Sequence, residues 1–263
     1  MISGIQLTVQ IGDYEFTRSH VFIRYDRRDF ISTANIILSD ADRSAESKIE
    51  EGQEVSILFG FRSGDHGRFK GIVWKKRIDK DCVEITVIGM ENPGRKKIKQ
   101  TWINETPESI ISYSLADAGF SIGRIDSTGC TFEKFVSSNH TIVDIARICA
   151  SVCYRSYGVN MSRWDLWMDG EGKVNWGNFS NPANELPVIE TGKGLIEHKP
   201  SQMKCFDSLV FSFLMPDFMH SMDFQLIDRS RGIDAVYRAL MVEHELTDKA
   251  RTVIGYDSKF QSS

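Results

Sequence analysis

Three short blocks of residues occur twice in the same order, and that ordered repetition limits the fold more than any single motif. Thr86-Val87-Ile88-Gly89 returns as Thr252-Val253-Ile254-Gly255. Upstream, Glu54-Val55-Ser56-Ile57-Leu58 shares its pattern with Asp223-Phe224-Gln225-Leu226-Ile227, and Phe69-Lys70-Gly71-Ile72-Val73 with Tyr237-Arg238-Ala239-Leu240-Met241. Val55 lies 14 residues before Phe69, and Phe224 lies 13 before Tyr237. Four identical residues alone carry little weight. Three blocks in order predict one β-module present twice.

The apolar period supports that division. Residues 1 to about 91 read as short strands cut by turns, with Ile5 to Ile11 alternating before Gly12-Asp13. Asn35 to Leu38 and Val55 to Phe59 are further strands, while Phe69–Lys75 and Val83–Ile88 flank a hairpin at Asp79-Lys80-Asp81. From about 105 to 158 the period becomes helical. Thr106 caps and Pro107 opens a helix whose face is Ile111, Leu115 and Ala118, ending at Gly119. Thr141 and Asp144 form a capping box for a second, with Ile142, Ile145, Ile148, Cys149, Val152 and Cys153 inward and Gly158 at its end. A hairpin follows, Trp164–Met168 and Lys173–Trp176, turning at Asp169-Gly170. Asn181-Pro182 and Leu186-Pro187 read as a linker, and β-pattern resumes from 188 to 258. The predicted class is α+β, mostly β: a first barrel at 1–95, a two-helix α/β insert at 96–187 and a second barrel at 188–263.

Composition excludes several classes. With 41% hydrophobic and 26% charged residues the chain has material for a core, so it is neither collagen-like nor disordered. Its formal charge of −4 provides no global attraction for nucleic acid. No apolar run reaches the ~18 residues of a membrane span. The opening MISGIQLTVQ lacks a secretory pattern, and five cysteines without framework spacing favour a reducing compartment. A soluble protein made inside the cell is expected.

No chemistry-bearing constellation emerges. Cys149 and Cys153 lie four apart on a helix, but Cys130 and Cys205 complete no zinc pattern, so buried thiols are expected. Asp169-Gly170-Glu171-Gly172-Lys173 lacks the ligand order of a calcium loop, and Gly192-Lys193-Gly194 is too short for a phosphate loop. The six histidines are scattered, and His244, in Val242-Glu243-His244-Glu245-Leu246, reads as a polar strand residue rather than a general base. Basic residues cluster at Lys75-Lys76-Arg77 and at Arg95-Lys96-Lys97-Ile98-Lys99 without a recognition motif. The expectation is no enzyme, with no catalytic, cofactor-binding or metal-binding residue and no cofactor.

Four stretches in order resemble the tail-hub proteins of bacteriophages and contractile injection systems, the late-control-protein-D group related to the hub part of type VI valine–glycine-repeat proteins. Glu51 to Ile57 followed by Arg68 to Val73 is similar to the first-barrel pattern of an opening glycine, a strand and an "F-x-G-x-V" strand. Thr106 to Ile111 and Asn139 to Ala146 resemble the two insert helices, and Val236 to His244 resembles the late strand of the second barrel. The family's "P-G" before the strand at 223 is replaced by Phe218-Met219-His220-Ser221.

The resemblance implies tail-tube-like barrels and a homotrimer presenting six quasi-equivalent barrels, an adaptor between a sixfold tube and a threefold spike. Implied partners are the tail tube or distal tail protein ring, a spike or tip protein and surrounding baseplate proteins. DNA would pass through the bore without specific binding, and the location would be the virion tail, after synthesis in the host cytoplasm. The stop at Ser263 implies a minimal hub without a fused spike. A neutral or negative bore is expected, with the two basic clusters facing outward or toward acidic neighbours. The rival class is a β-rich carbohydrate-binding module or an enzyme with a non-local site, in which Trp164, Trp167 and Trp176 would form a sugar platform.

Overall fold

Strands with one buried and one solvated face must pair until their edges are covered, and most of this chain follows that requirement. The computed structural model describes residues 4–16, 19–40, 44–62, 64–169, 171–179, 181, 186–203 and 205–259. Gly170 and Pro182, read above as part of a turn and of a linker, lie outside them. The chain forms two compact units, Met1–Met90 with Asn181–Ser263, and Glu91–Ser180.

In the first unit the N-terminal half holds β1 (Ile5–Ile11), β2 (Tyr14–Phe16), β3 (Ser19–Asp26), β4 (Thr33–Ser39), β5 (Glu54–Phe61), β6 (His66–Asp79) and β7 (Cys82–Gly89). They pair in the order β2-β1-β5-β6-β7-β4-β3. β6 serves two neighbours: its residues up to Ile72 pair with β5, and from Gly71 onward with β7, across a bulge between Val73 and Lys75. Bulges bend strands, so one long strand turns a corner of the sheet. Gly71 sits at that corner, where a Cβ would lie 2.3 Å from the Ile88 carbonyl oxygen. Val9, Ile36, Ile57, Phe69 and Ile85 fill the core beneath.

The second unit opens with β8 (Ile98–Glu105), then α1 (Pro107–Ala118), β9 (Ser121–Ile125), β10 (Phe132–His140), α2 (Ile142–Tyr157), β11 (Trp164–Met168) and β12 (Lys173–Asn178). Thr106 accepts from the Ser109 amide, and Thr141 and Asp144 cap α2 reciprocally, as a capping box requires. The stretch read as helical, about 105 to 158, also contains two strands: β10 pairs with β8, and β9 joins the β11–β12 hairpin in a three-stranded sheet. Two-stranded ribbons such as Lys99–Thr101 with Val136–Ser138 are polar on one face, which hides them from a search for apolar period.

The C-terminal half returns to the first unit with β13 (Val188–Thr191), β14 (Gly194–Pro200), β15 (Ser208–Phe213), β16 (Asp223–Asp228), β17 (Ile233–Arg238), β18 (Met241–Leu246) and β19 (Arg251–Tyr256). β17 runs through Ala239 and Leu240 into β18; β17 pairs with β16 and β18 with β19. From β19 the pairing continues through β15, β14 and β13 back to β16, so β17 and β18, consecutive in the chain, stand at the two ends of this run of strands.

The two halves share one backbone device. The Gly52 amide donates to the Val73 carbonyl at 2.8 Å and the Val73 amide to the Gln53 carbonyl at 2.9 Å. In the second half the Ser221 amide donates to Ala239 at 2.7 Å and the Ala239 amide to Met222 at 2.9 Å. Gly52 and Ser221 are both left-handed, with φ of 88° and 67°. The equivalence pairs β5 with β16, β6 with β17 plus β18, and β7 with β19. It also corrects the reading of the four-residue repeat. Both copies lie on the last strand of their half, but Thr86 pairs with Lys75 whereas the matching Met241 faces Gly255. Two residues, Lys80 and Asp81, close the first hairpin, and five, Leu246 to Ala250, stand between the last pair of the second, Glu245 and Arg251. The longer connection displaces the second Thr-Val-Ile-Gly by three positions.

Candidate assembly interface

The halves are joined strand to strand. β18 pairs antiparallel with β3, from Met241 opposite Asp26 to Leu246 opposite Val21, so one 14-stranded sheet runs through both. Glu243 lies opposite Arg24, an attractive cross-strand pair. At the end of the seam Asp26 accepts from Arg28 Nε at 2.9 Å and from Arg24 Nη2 at 3.3 Å. Burial pushes the Asp26 carboxyl up, but the Arg28 and Arg24 hydrogen bonds outweigh it and hold it below the usual range. Glu243 is raised, by burial first, with Glu245 adding repulsion that Arg24 and Arg251 oppose.

His244 bolts this seam. It is fully buried, with Nε2 donating to the Phe218 carbonyl at 3.0 Å and Nδ1 3.1 Å from Thr252 Oγ1. Thr252 Oγ1 accepts in turn from the Met215 amide at 2.9 Å. The imidazole packs 5.1 Å from the Phe59 ring and 5.9 Å from the Tyr25 ring, both of the N-terminal half. Burial lowers its pKa to about 4, so it stays neutral and fixes the loop before β16 rather than moving protons.

A second polar cluster escaped sequence reading because its members lie on three elements far apart in the chain. His198 of β14 contacts Asp228 Oδ2 through Nδ1 at 2.8 Å, and the Tyr256 hydroxyl is 2.9 Å from His198 Nε2. Ser230 Oγ donates to Asp228 Oδ1 at 2.6 Å. Burial pushes Asp228 up, but Ser230 and His198 outweigh it and keep the carboxylate low. Burial drives Tyr256 up to about 12, so the hydroxyl is held protonated, unlike an activated nucleophile. The chain of groups ties β14, β16 and β19 together.

The remaining candidates disperse. Cys130, Cys149 and Cys153 are buried; desolvation pushes Cys153 up to about 12 and Cys149 higher still. Among the described residues no group of three or more His, Cys, Asp or Glu is arranged to hold a metal ion. Trp176 is buried and stacks edge-on against Trp164 at 4.7 Å, while Trp167 meets Phe179 at 5.0 Å, so the three rings belong to a packed hairpin rather than an open platform. Lys76 Nζ donates to the Ile49 and Glu46 carbonyls at 2.7 and 2.9 Å. Lys96 pairs with Asp117 at 3.1 Å and Lys97 with Asp144 at 4.0 Å. These three lysines are engaged locally. Among the described residues no helix is long and apolar enough to cross a membrane.

A family profile, YQBQ-like, matches residues 27–190, more than half of the chain. The chain belongs to the YQBQ-like family. No curated protein matches this YQBQ-like chain, but solved structures do. The 43 kDa tail protein of prophage MuSo2 from Shewanella oneidensis superposes with a TM-score of 0.68 at 12% identity, covering 95% of this chain and 96% of that one. A tail protein from Neisseria meningitidis gives 0.68 at 11%, covering 99% and 97%. An Escherichia coli component of the type VI secretion system gives 0.58 at 10%, covering 97% and 78%. This YQBQ-like protein therefore has the mostly β fold of phage tail and type VI secretion proteins, and the family resemblance read from its sequence holds at the level of fold.

Proposed function

We propose that the protein is a structural hub of a phage tail or contractile injection particle, a homotrimer that converts the sixfold symmetry of a tail tube into the threefold symmetry of a spike or tip. In this reading residues 1–95 and 188–263 are two barrel domains flanking an insert at 96–187. The observation that carries it is the β3–β18 seam: two halves that share the arrangement of β3 to β7, differing at their first strand, joined edge to edge inside a single chain. Three such chains offer six like modules, so one face can continue a sixfold ring while the alternation of halves marks every second position. Interfaces, rather than catalysis, do this work. The likeness to tail and type VI proteins supports the same role.

The partners are a tube or distal tail ring, a spike or tip, and surrounding baseplate proteins, in a virion tail assembled after synthesis in the host. DNA passes the bore without specific binding; with 36 acidic against 32 basic residues the chain has carboxylates to keep that wall neutral or negative. Native mass measurement of the purified chain, with class averages by electron microscopy, tests the reading. Three copies in a ring with sixfold pseudosymmetry are expected; a monomer at every concentration, or a ring of another number, overturns it.

A further inference from the structure

We infer that Lys75–Lys80, the end of β6 and its first turn residue, in one copy pair antiparallel with His198–Met203, the end of β14 and the residues just after it, in a second copy of this chain, in the register that β18 and β3 use within the chain. The inference rests on the ring reading above, for which it names the joint between copies.

Two edges carry it. The pairing of β5 with β6 stops at Ile72, so among the described residues Lys75–Asp79 is paired on the β7 side alone. The pairing of β13 with β14 stops at Leu195, so among the described residues β15 is the one strand that pairs with Ile196–Pro200, while the His198 carbonyl accepts from Arg231 Nη2 at 2.8 Å, a contact that a second strand there would have to displace or share. The shared backbone device matches Lys75–Asp79 to Met241–Glu245, whose outer edge is covered by β3. β14 in turn matches β3. Ser39 faces Cys82 as Phe213 faces Arg251, each pair beginning the last strand of its half. One strand further, Phe22 faces Asn35 as Lys199 faces Leu209. Each half thus contains a version of both members of the seam, but the chain uses only one combination internally. The unused members are the two edges that, among the described residues, no second strand pairs with.

Carrying the seam register across fixes the contacts. Glu245 opposite Phe22 becomes Asp79 opposite Lys199, and His244 opposite Ile23 becomes Ile78 opposite Pro200. The first is a pair of opposite charges, which favours this register over its neighbours. The second covers Ile78, which is 49% exposed at an open edge. Pro200 has no amide hydrogen, so it can accept but not donate at this joint. The contact is heterologous, as a ring requires: each copy gives its β6 edge to one neighbour and its β14 edge to the other.

Cysteine trapping in the full chain tests it. Asp79→Cys with Lys199→Cys is placed in a Cys82→Ser, Cys205→Ser background, because Cys82 lies opposite Asp79 within the hairpin and both native thiols are partly exposed. Directly opposed residues on antiparallel strands lie about 4.5–5.5 Å apart at Cα, within disulfide reach. Mild oxidation should convert the double variant into covalent multimers that a reductant returns to monomer, with each single-cysteine variant staying monomeric on a denaturing gel. Circular dichroism and native mass accompany each variant. If native mass shows a trimer and the folded double variant remains uncrosslinked, this joint is wrong and the hub reading stands. If the parent chain is monomeric throughout, both fall.

Discussion

At the scale of single residues, His244 has a measurable acid-base consequence. Both ring nitrogens are committed inside the fold, and burial holds the pKa near 4 against 6.5 for a free side chain. Between those values the unfolded chain takes up a proton that the folded chain refuses, so stability falls as pH drops from about 6.5 toward 4, by up to about 1.4 kcal/mol per unit. The raised carboxyls of Glu243 and Asp217 work in the opposite direction, since their protonated forms are favoured in the fold. Urea midpoints at pH 7 and pH 5 should differ in the wild type and nearly coincide in His244→Phe; an equal acid loss in that variant would refute the assignment. Ser221 makes a second case. It holds a left-handed φ of 67° where its counterpart is Gly52. A side chain in that region costs about 1–2 kcal/mol, so Gly52→Ala should lower stability and Ser221→Gly raise it by less, because the buried Ser221 hydroxyl gives up its 3.0 Å contact with His220 Nδ1. An added Cβ at Gly52 meets nothing within 4 Å, so that loss reports backbone conformation alone. Denaturant midpoints moving in the same direction for the two variants would contradict the shared device. The departure from the family's "P-G" was legible in the sequence; that Ser221 adopts a glycine's conformation was not, because nothing in one sequence specifies φ.

At the scale of elements, the bent strand β6 decides how β5 and β7 come to share one neighbour. Gly71 admits β7 so closely that a Cβ would sit 2.3 Å from a backbone oxygen, which cannot swing aside as a side-chain end could. Gly71→Ala should therefore cost more than the ~1–3 kcal/mol of ordinary overpacking, read as loss of the folded fraction or a collapse in melting temperature; a variant within 1 °C of wild type would show that the corner can shift. The helices were plain in the sequence because their signals are local: caps at Thr106 and Thr141, and stops at Gly119 and Gly158. β3 was missed although it forms half of the seam, since Ser19 to Asp26 is apolar or aromatic at four of its eight positions and is flanked by charge. The His198–Asp228–Tyr256 tie was also out of reach, because its members come together only through pairing of β14 with β15 and β19 on one side and, by way of β13, with β16 on the other. The ordered blocks did point to the right strands, while the most persuasive identity, Thr-Val-Ile-Gly, is displaced by a hairpin length that no residue comparison weighs.

At the scale of the whole molecule, two lysines of the basic cluster at 95–99, expected to face outward or toward acidic neighbours, have acidic partners of their own. Lys96 and Lys97 pair with Asp117 and Asp144 inside their own unit, so reversing both to Glu places like charges together there. These side chains are half exposed, and exposed pairs contribute about 0.2–1 kcal/mol each. The double variant should lower the melting temperature slightly in low salt and less in high salt, with the native mass unchanged. A loss of oligomer instead would place these lysines at a joint between copies.

The seam between β3 and β18 also has a kinetic meaning. Because one chain carries both strands, this joint forms in a first-order step whose extent does not depend on protein concentration. Any contact between copies is second order and weakens on dilution. A preparation diluted step by step should thus shed entire chains while each retains its paired halves, and amide exchange along Met241–Leu246 should stay equally slow from the most concentrated sample to the most dilute.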